Sequence, residues 1–175
     1  MSSWGAASAE CGNGLGFRRA GGGVILRANL SRMEALDLTQ RAPRGPREQL
    51  GDLDLLMMAR TVDKIRATLP GGNIGPYQIS GFSSSLLNAL EIPEADLRAV
   101  IAKASDESEI AHWIRGRTEP SQYAQFNEKL AARTIADRMG DERWAARYPI
   151  AKRLPPETPL IDMLAADDDD MFAKH

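Results

Sequence analysis

The sequence predicts a mainly α fold, a single irregular helical bundle of about five to six helices with an extended N-terminal arm. Three observations predict it. Apolar residues recur at intervals of three and four in successive segments, and clusters of Gly, Pro and Ser separate those segments. No run alternates apolar and polar side chains as a half-buried strand does, and only Tyr77 to Ile79 leaves room for a short strand.

With 175 residues, 43% of them hydrophobic and 26% charged, the chain is long enough for one domain whose core needs no disulfide or metal staple. Residues 1–32 stand apart. Glycines interrupt every short apolar stretch there, and four arginines against Glu10 leave the segment at +3 and the remainder at −5. Val24, Ile25 and Leu26 are stopped by Arg27, short of the roughly seven apolar residues that a secretory signal needs. The expectation is a disordered extension upstream of a start at Met33, followed by a helical domain over 33–164 and an acidic tail over 165–175.

Pro43 and Pro46 push their predecessors toward extended geometry, so residues 36–49 form an arm. From Asp52 to Leu69 the stripe Leu55, Met58, Val62, Ile65 and Leu69 predicts the first helix, ended by Pro70-Gly71-Gly72. Leu56 and Met57 fall off that stripe, so this helix is covered on more than one side, by the arm or by a second subunit. A loop runs from Pro70 to Gly81, and Ser83, Ser84 and Ser85 offer N-caps for a short helix through Leu90. Pro93 restarts the chain into a third helix with Leu97, Val100, Ile101 and Ala104 inward. Asp106 with Glu109 makes a capping-box pattern for the fourth, whose buried face is Ile110, Trp113 and Ile114. Thr118 and Pro120 open a fifth with Tyr123, Phe126 and Leu130 on one stripe, and Gly140 marks an interruption. A last short helix begins at Thr158-Pro159, before the run Asp167 to Asp170.

The arm Leu38-Thr39-Gln40-Arg41 with Pro43-Arg44-Gly45-Pro46-Arg47, the helix segment Asp63-Lys64-Ile65-Arg66-Ala67 and the loop Gly72-Asn73-Ile74-Gly75-Pro76-Tyr77 carry a resemblance. Together with Ile92, Trp113, Asn127 and Asp162-Met163-Leu164, they resemble the bacterial domain of unknown function 5069, from about Leu36 to about Leu164. The resemblance implies a small helical bacterial domain and supports a start at Met33. It implies no activity. Glu91 stands where glycine is common in the family, so the resemblance implies a differently built helix end there.

Composition excludes several functional classes. No stretch approaches the roughly eighteen apolar residues of a transmembrane helix. A net charge of −2 speaks against nucleic acid, which needs a concentrated basic surface. One cysteine, Cys11, and two histidines, His112 and His175, supply no metal site of the usual kind and fit a reducing, cytoplasmic compartment. The four aspartates 167–170 lack EF-hand spacing and read as solvated. No cofactor pattern, Walker loop, Ser-His-Asp set or HExxH motif is present, and His112 projects away from its helix's buried face, so the sequence specifies no reaction.

The candidate ligand-binding residues are Arg41, Arg44, Arg66, Tyr77 and Asn127. Arg66 projects beside the apolar stripe, where a guanidinium must pair, for instance with Asp63, reach water along its stem, or capture an anion. Lys64 projects the opposite way, toward solvent. Arg41, Arg44 and Arg47 recur at the polyproline repeat of three and either strap the arm to carboxylates or face a phosphate or carboxylate ligand. The glycine loop and serine-rich helix start fit either a plain capped turn or an anion cradle, with Tyr77 orienting a ligand through its hydroxyl or filling the core. Asn127 either satisfies backbone groups or touches ligand. Two functions follow as expectations: a binding domain for a small anionic ligand, or a homodimeric or adaptor module without catalysis.

Overall fold

The computed structural model describes residues 32–173. The expected extension, with Cys11 and Arg18-Arg19, lies outside the described residues but for Arg32. Seven α-helices build the described chain: α1 (Met58–Arg66), α2 (Phe82–Ala89), α3 (Glu94–Ile101), α4 (Glu107–Arg115), α5 (Pro120–Ala131), α6 (Glu142–Arg147) and α7 (Leu160–Phe172). Short 3-10 turns at Ala136–Arg138 and Pro149–Arg153 flank α6. Only isolated bridges stand where strands would be among the described residues. The mainly α bundle is therefore the fold.

Local chemistry sets most of the boundaries. The Asp106 side chain accepts from the backbone N–H of Ser108 and Glu109, and Glu109 reaches back to the Ser105 N–H at 3.0 Å. That reciprocal arrangement satisfies amide donors that would otherwise lack partners at a helix start. Pro120 opens α5 behind a capping box of Glu119 and Gln122. Helix α2 ends in a Schellman motif, in which Ile92 N–H donates to Leu87 O at 2.9 Å and Glu91 N–H to Asn88 O at 3.2 Å. Glu91 occupies the left-handed position of that motif at φ 54°. Glycine fits there without strain; here a glutamate takes the same conformation.

The first helix is shorter than its periodicity predicts. Residues 52–57 turn instead, Leu53 N–H donating to Leu50 O at 3.1 Å, while Leu53 and Leu55 stay 1% exposed. Asn127 Oδ1 accepts from Leu56 N–H at 2.9 Å and its Nδ2 donates to Asp54 O at 3.0 Å, so a side chain of α5 replaces the intrahelical partners. Every residue from Met58 to Ile65 is buried. On one side α1 packs against α2 and α3. On the other lies the arm, tied down by Leu38 N–H to Asn73 O at 2.7 Å and Met57 N–H to Pro46 O at 2.8 Å.

Two expectations are corrected. Lys64 is not solvated but 8% exposed, because the face opposite the apolar stripe is itself covered by other parts of the chain. The acidic run is not a free tail: Asp167 to Asp170 lie inside α7, and Asp168 is 6% exposed. Its carboxylate is desolvated because an arginine waits for it.

Candidate functional site

Arg60 and Lys64 sit four residues apart on α1, a spacing that stacks side chains on one helix face. Arg60 donates to both carboxylate oxygens of Asp168 on α7, at 2.6 and 3.0 Å, and also to the backbone oxygen of Arg44 at 3.2 Å. The Tyr77 hydroxyl donates to Asp168 at 2.9 Å. Tyr77 is delivered by the loop 72–76, which passes close to the arm: a Cβ on Gly75, at φ 55°, would stand 3.2 Å from Leu38 O. Arg60 and Lys64 both lie over the Tyr77 ring, with Lys64 Nζ 5.9 Å from its centre.

Lys64 has no hydrogen bond or ion pair among the described residues beyond that ring contact. It borders an inner cavity of about 180 Å³, with Met57, Arg60, Tyr77, Arg147 and Asp167 among the other walls. Burial first, then the positive charge of Arg60, pull its pKa down to about 7; Asp168 opposes the shift and Arg147 adds to it. Burial and then the Asp168 charge raise the Tyr77 phenol well above its ordinary range. Asp167 is raised as well, by burial and by its neighbour Asp168. Met57, in the cavity wall, holds a left-handed φ of 69°, a strained conformation for a side chain of its size.

An outer cavity of about 250 Å³ adjoins the inner one, and Gln78, Ser80, Phe82, Arg147 and Tyr148 line both. Arg133, Arg138 and Trp144 complete its polar wall. Arg138 Nε and Trp144 Nε1 are buried donors without an acceptor among the described residues. A buried unsatisfied donor costs about 1–3 kcal/mol, so both nitrogens gain from any oxygen that reaches them. The adjoining cavities therefore form a cleft whose walls hold five cationic side chains and one carboxylate, Asp167.

The residues expected from sequence fall as follows. Tyr77 lines the inner cavity. Arg44 lies outside the cleft and donates to both oxygens of Asp63, at 2.8 and 3.0 Å, and to Glu107 at 2.8 Å. Burial pulls its guanidinium down, but those hydrogen bonds and charges outweigh it and hold its pKa above the ordinary arginine value. Arg66 donates to Glu34 O at 2.6 Å and stands 3.8 Å from Asp63, the partner three residues back. Arg41 is exposed beside a shallow depression bordered by Asp168 and Phe172. Asn127 bonds backbone groups.

Sequence reasoning missed Arg60, Lys64, Arg147, Arg138 and Trp144. The spacing of Arg60 and Lys64 was visible, and off-stripe Met57 on the same face pointed to a second covered side, but the projection that sent Lys64 to solvent was made from the apolar stripe alone. Among the described residues no group of three or more His, Cys, Asp or Glu is arranged to hold a metal, and no helix is long and apolar enough to cross a membrane.

The fold and cleft define an all-helical domain with a cation-lined recess. The chain belongs to the family described as Domain of unknown function (DUF5069), which matches residues 40–169. No curated protein matches it. The matched segment runs from the arm through Asp168, and of the residues lining the two cavities only Met171 lies beyond it.

Proposed function

We propose that this chain is a small cytoplasmic binding domain for a small anionic ligand, a carboxylate or phosphate, held in the two-chambered cleft. The observation that carries the reading is the meeting of unsatisfied donors with a cation that lacks a carboxylate: Arg138, paired with Asp141 through a terminal nitrogen, leaves its Nε without an acceptor, Trp144 Nε1 lacks one too, and Arg147, between the chambers, has no ion pair among the described residues. An anion supplies what each lacks, and guanidinium groups suit planar or tetrahedral oxyanions. Of the residues expected from sequence, this reading retains Tyr77. The compartment rests on the single cysteine alone. The homodimer or adaptor alternative would draw on exposed apolar surface, and Met139, 73% exposed, is the large apolar side chain that stands mostly in solvent among the described residues.

A thermal-shift panel of inorganic phosphate and small mono- and dicarboxylates tests the reading. A ligand at a hundredfold excess over its dissociation constant stabilises the folded state by about 2.7 kcal/mol. Stabilisation by an anion that is lost in Arg147→Ala supports the cleft. No shift from any anion, or a shift unchanged in Arg147→Ala and Trp144→Phe, overturns it.

A further inference from the structure

Resting on the anion-binding reading, we propose that Lys64 is a carbonyl-reactive nucleophile whose amine forms an imine with a small oxo acid bound in the cleft. Lys64 is 8% exposed, borders the inner cavity and has no hydrogen bond or ion pair among the described residues. A buried lysine that is structural is expected to meet a carboxylate, but Asp168, whose charge acts on Lys64, is engaged by both Arg60 nitrogens and by the Tyr77 hydroxyl. The amine is thus left facing space rather than a partner.

The surroundings disfavour its protonated form. Arg60 on the same helix and Arg147 from α6 disfavour a third positive charge, against Asp168 of α7; Asp167, Tyr77 and Tyr148 also line the cavity, and burial and the Asp168 charge hold the Tyr77 phenol in its neutral form. Desolvation beside other cations is a known way to activate a lysine. Lys103, Lys129 and Lys152 are exposed and lack such surroundings. The cavity's arginines supply the second half of the recognition. An oxo acid can place its carboxylate or phosphate against Arg147 and the outer chamber while its carbonyl carbon reaches Lys64.

The step balances without any co-reactant. The nitrogen lone pair adds to the carbonyl carbon, the carbonyl π electrons move to oxygen, and a proton passes from nitrogen to that oxygen to give a carbinolamine. Loss of the hydroxyl as water, with the remaining N–H proton, leaves the C=N bond. Hydrolysis runs the same steps backward.

The test incubates the full chain at pH 7 with glyoxylate and cyanoborohydride, which reduces an imine to a stable carboxymethyl amine, and maps the label by peptide mass. Label at Lys64 on the order of a hundredfold faster than at Lys103, Lys129 or Lys152 is expected, since those are exposed and border no cation-lined cavity. The α-amino group, also reactive near neutrality, maps to its own peptide and reports that the reagent worked. Labelling of the α-amino group with none at Lys64, or equal labelling of all lysines, overturns the proposal. Site mapping is done on the wild-type chain and so depends on no variant's folding.

Two further arms separate this inference from the reading beneath it. If glycolate or phosphate stabilises the chain but Lys64 stays unlabelled, the nucleophile falls and the anion site stands. If neutral propionaldehyde labels Lys64 as fast as glyoxylate and no anion stabilises, the amine's reactivity stands and the oxo-acid specificity falls.

Discussion

Arg60 and Asp168 form a buried, two-pronged ion pair that joins α1 to α7 across 108 residues of chain, their side chains only 3% and 8% exposed. Two charges withdrawn from water must satisfy each other, and each also binds a third group: the backbone oxygen of Arg44 for the guanidinium, the Tyr77 hydroxyl for the carboxylate. The pair holds the C-terminal helix against the central one, and its Arg60 lines the inner cavity.

Removing one partner leaves the other charged and buried. Asp168→Asn is expected to destabilise the chain by about 3 kcal/mol, whereas Asp169→Asn, one residue on and exposed, changes stability by less than about 0.5 kcal/mol. Urea denaturation at pH 7 checks both. Equal effects would mean that the acidic run contributes only diffuse charge.

The arm shows the same contrast. Asp63 is 1% exposed and depends on Arg44, so Arg44→Ala is expected to cost about 3 kcal/mol. Arg47 pairs with Asp162 at 57% and 44% exposure, so Arg47→Ala costs less than about 1 kcal/mol. Thermal denaturation of the two variants, side by side, separates them.

Lys64 makes stability depend on pH. Its folded pKa of about 7 lies below the ordinary 10.5, so between these values the unfolded chain binds the proton that the folded chain refuses. Its penalty is therefore absent above the unfolded value, grows as pH falls and is complete below about pH 7. Lys64→Met removes it. The variant is expected to exceed the wild type in stability at pH 7, with the gap closing toward pH 10 at a slope of up to about 1.4 kcal/mol per pH unit. Denaturant titrations across that window give the gap directly, and a constant gap would refute the assignment.

Glu91 holds a left-handed backbone at φ 54° at the end of α2. Its Cβ makes that conformation costly, and glycine bears no such cost. Glu91→Gly is expected to stabilise the fold by about 1 kcal/mol, raising the melting temperature, because relief of folded-state strain outweighs the added freedom of the unfolded chain.

The helical elements were legible because their signals are local. Asp106 with Glu109, Pro120 and Gly140 act on backbone groups within a turn of themselves, so their effect reads from order alone. The first helix shows where this stops. Its apolar period predicted a start near Asp52, but Asn127, from α5, captures the backbone at Asp54 and Leu56 and delays the helix to Met58.

The cleft was less legible. Tyr77 came into view because its loop is rich in glycine; Arg66 was conspicuous as a charge beside an apolar stripe, but it binds Glu34 O and does not line the cleft. Lys64 was assigned to water by helical projection from the apolar stripe, which presumes that a helix has one buried side, although Leu56 and Met57 had already marked a second. That presumption fails for a helix enclosed by its own arm and by α7.

By itself, then, the sequence determined a mainly helical chain, its caps and breaks, the arm and the family likeness, since these depend on neighbours within a few residues or on an ordered set of motifs. Only the tertiary structure decided which charges lose water. That is a property of what the rest of the chain lays over them: α7 brings Asp168 to Arg60, and the covering of α1's second face leaves Lys64 with a cavity in place of solvent.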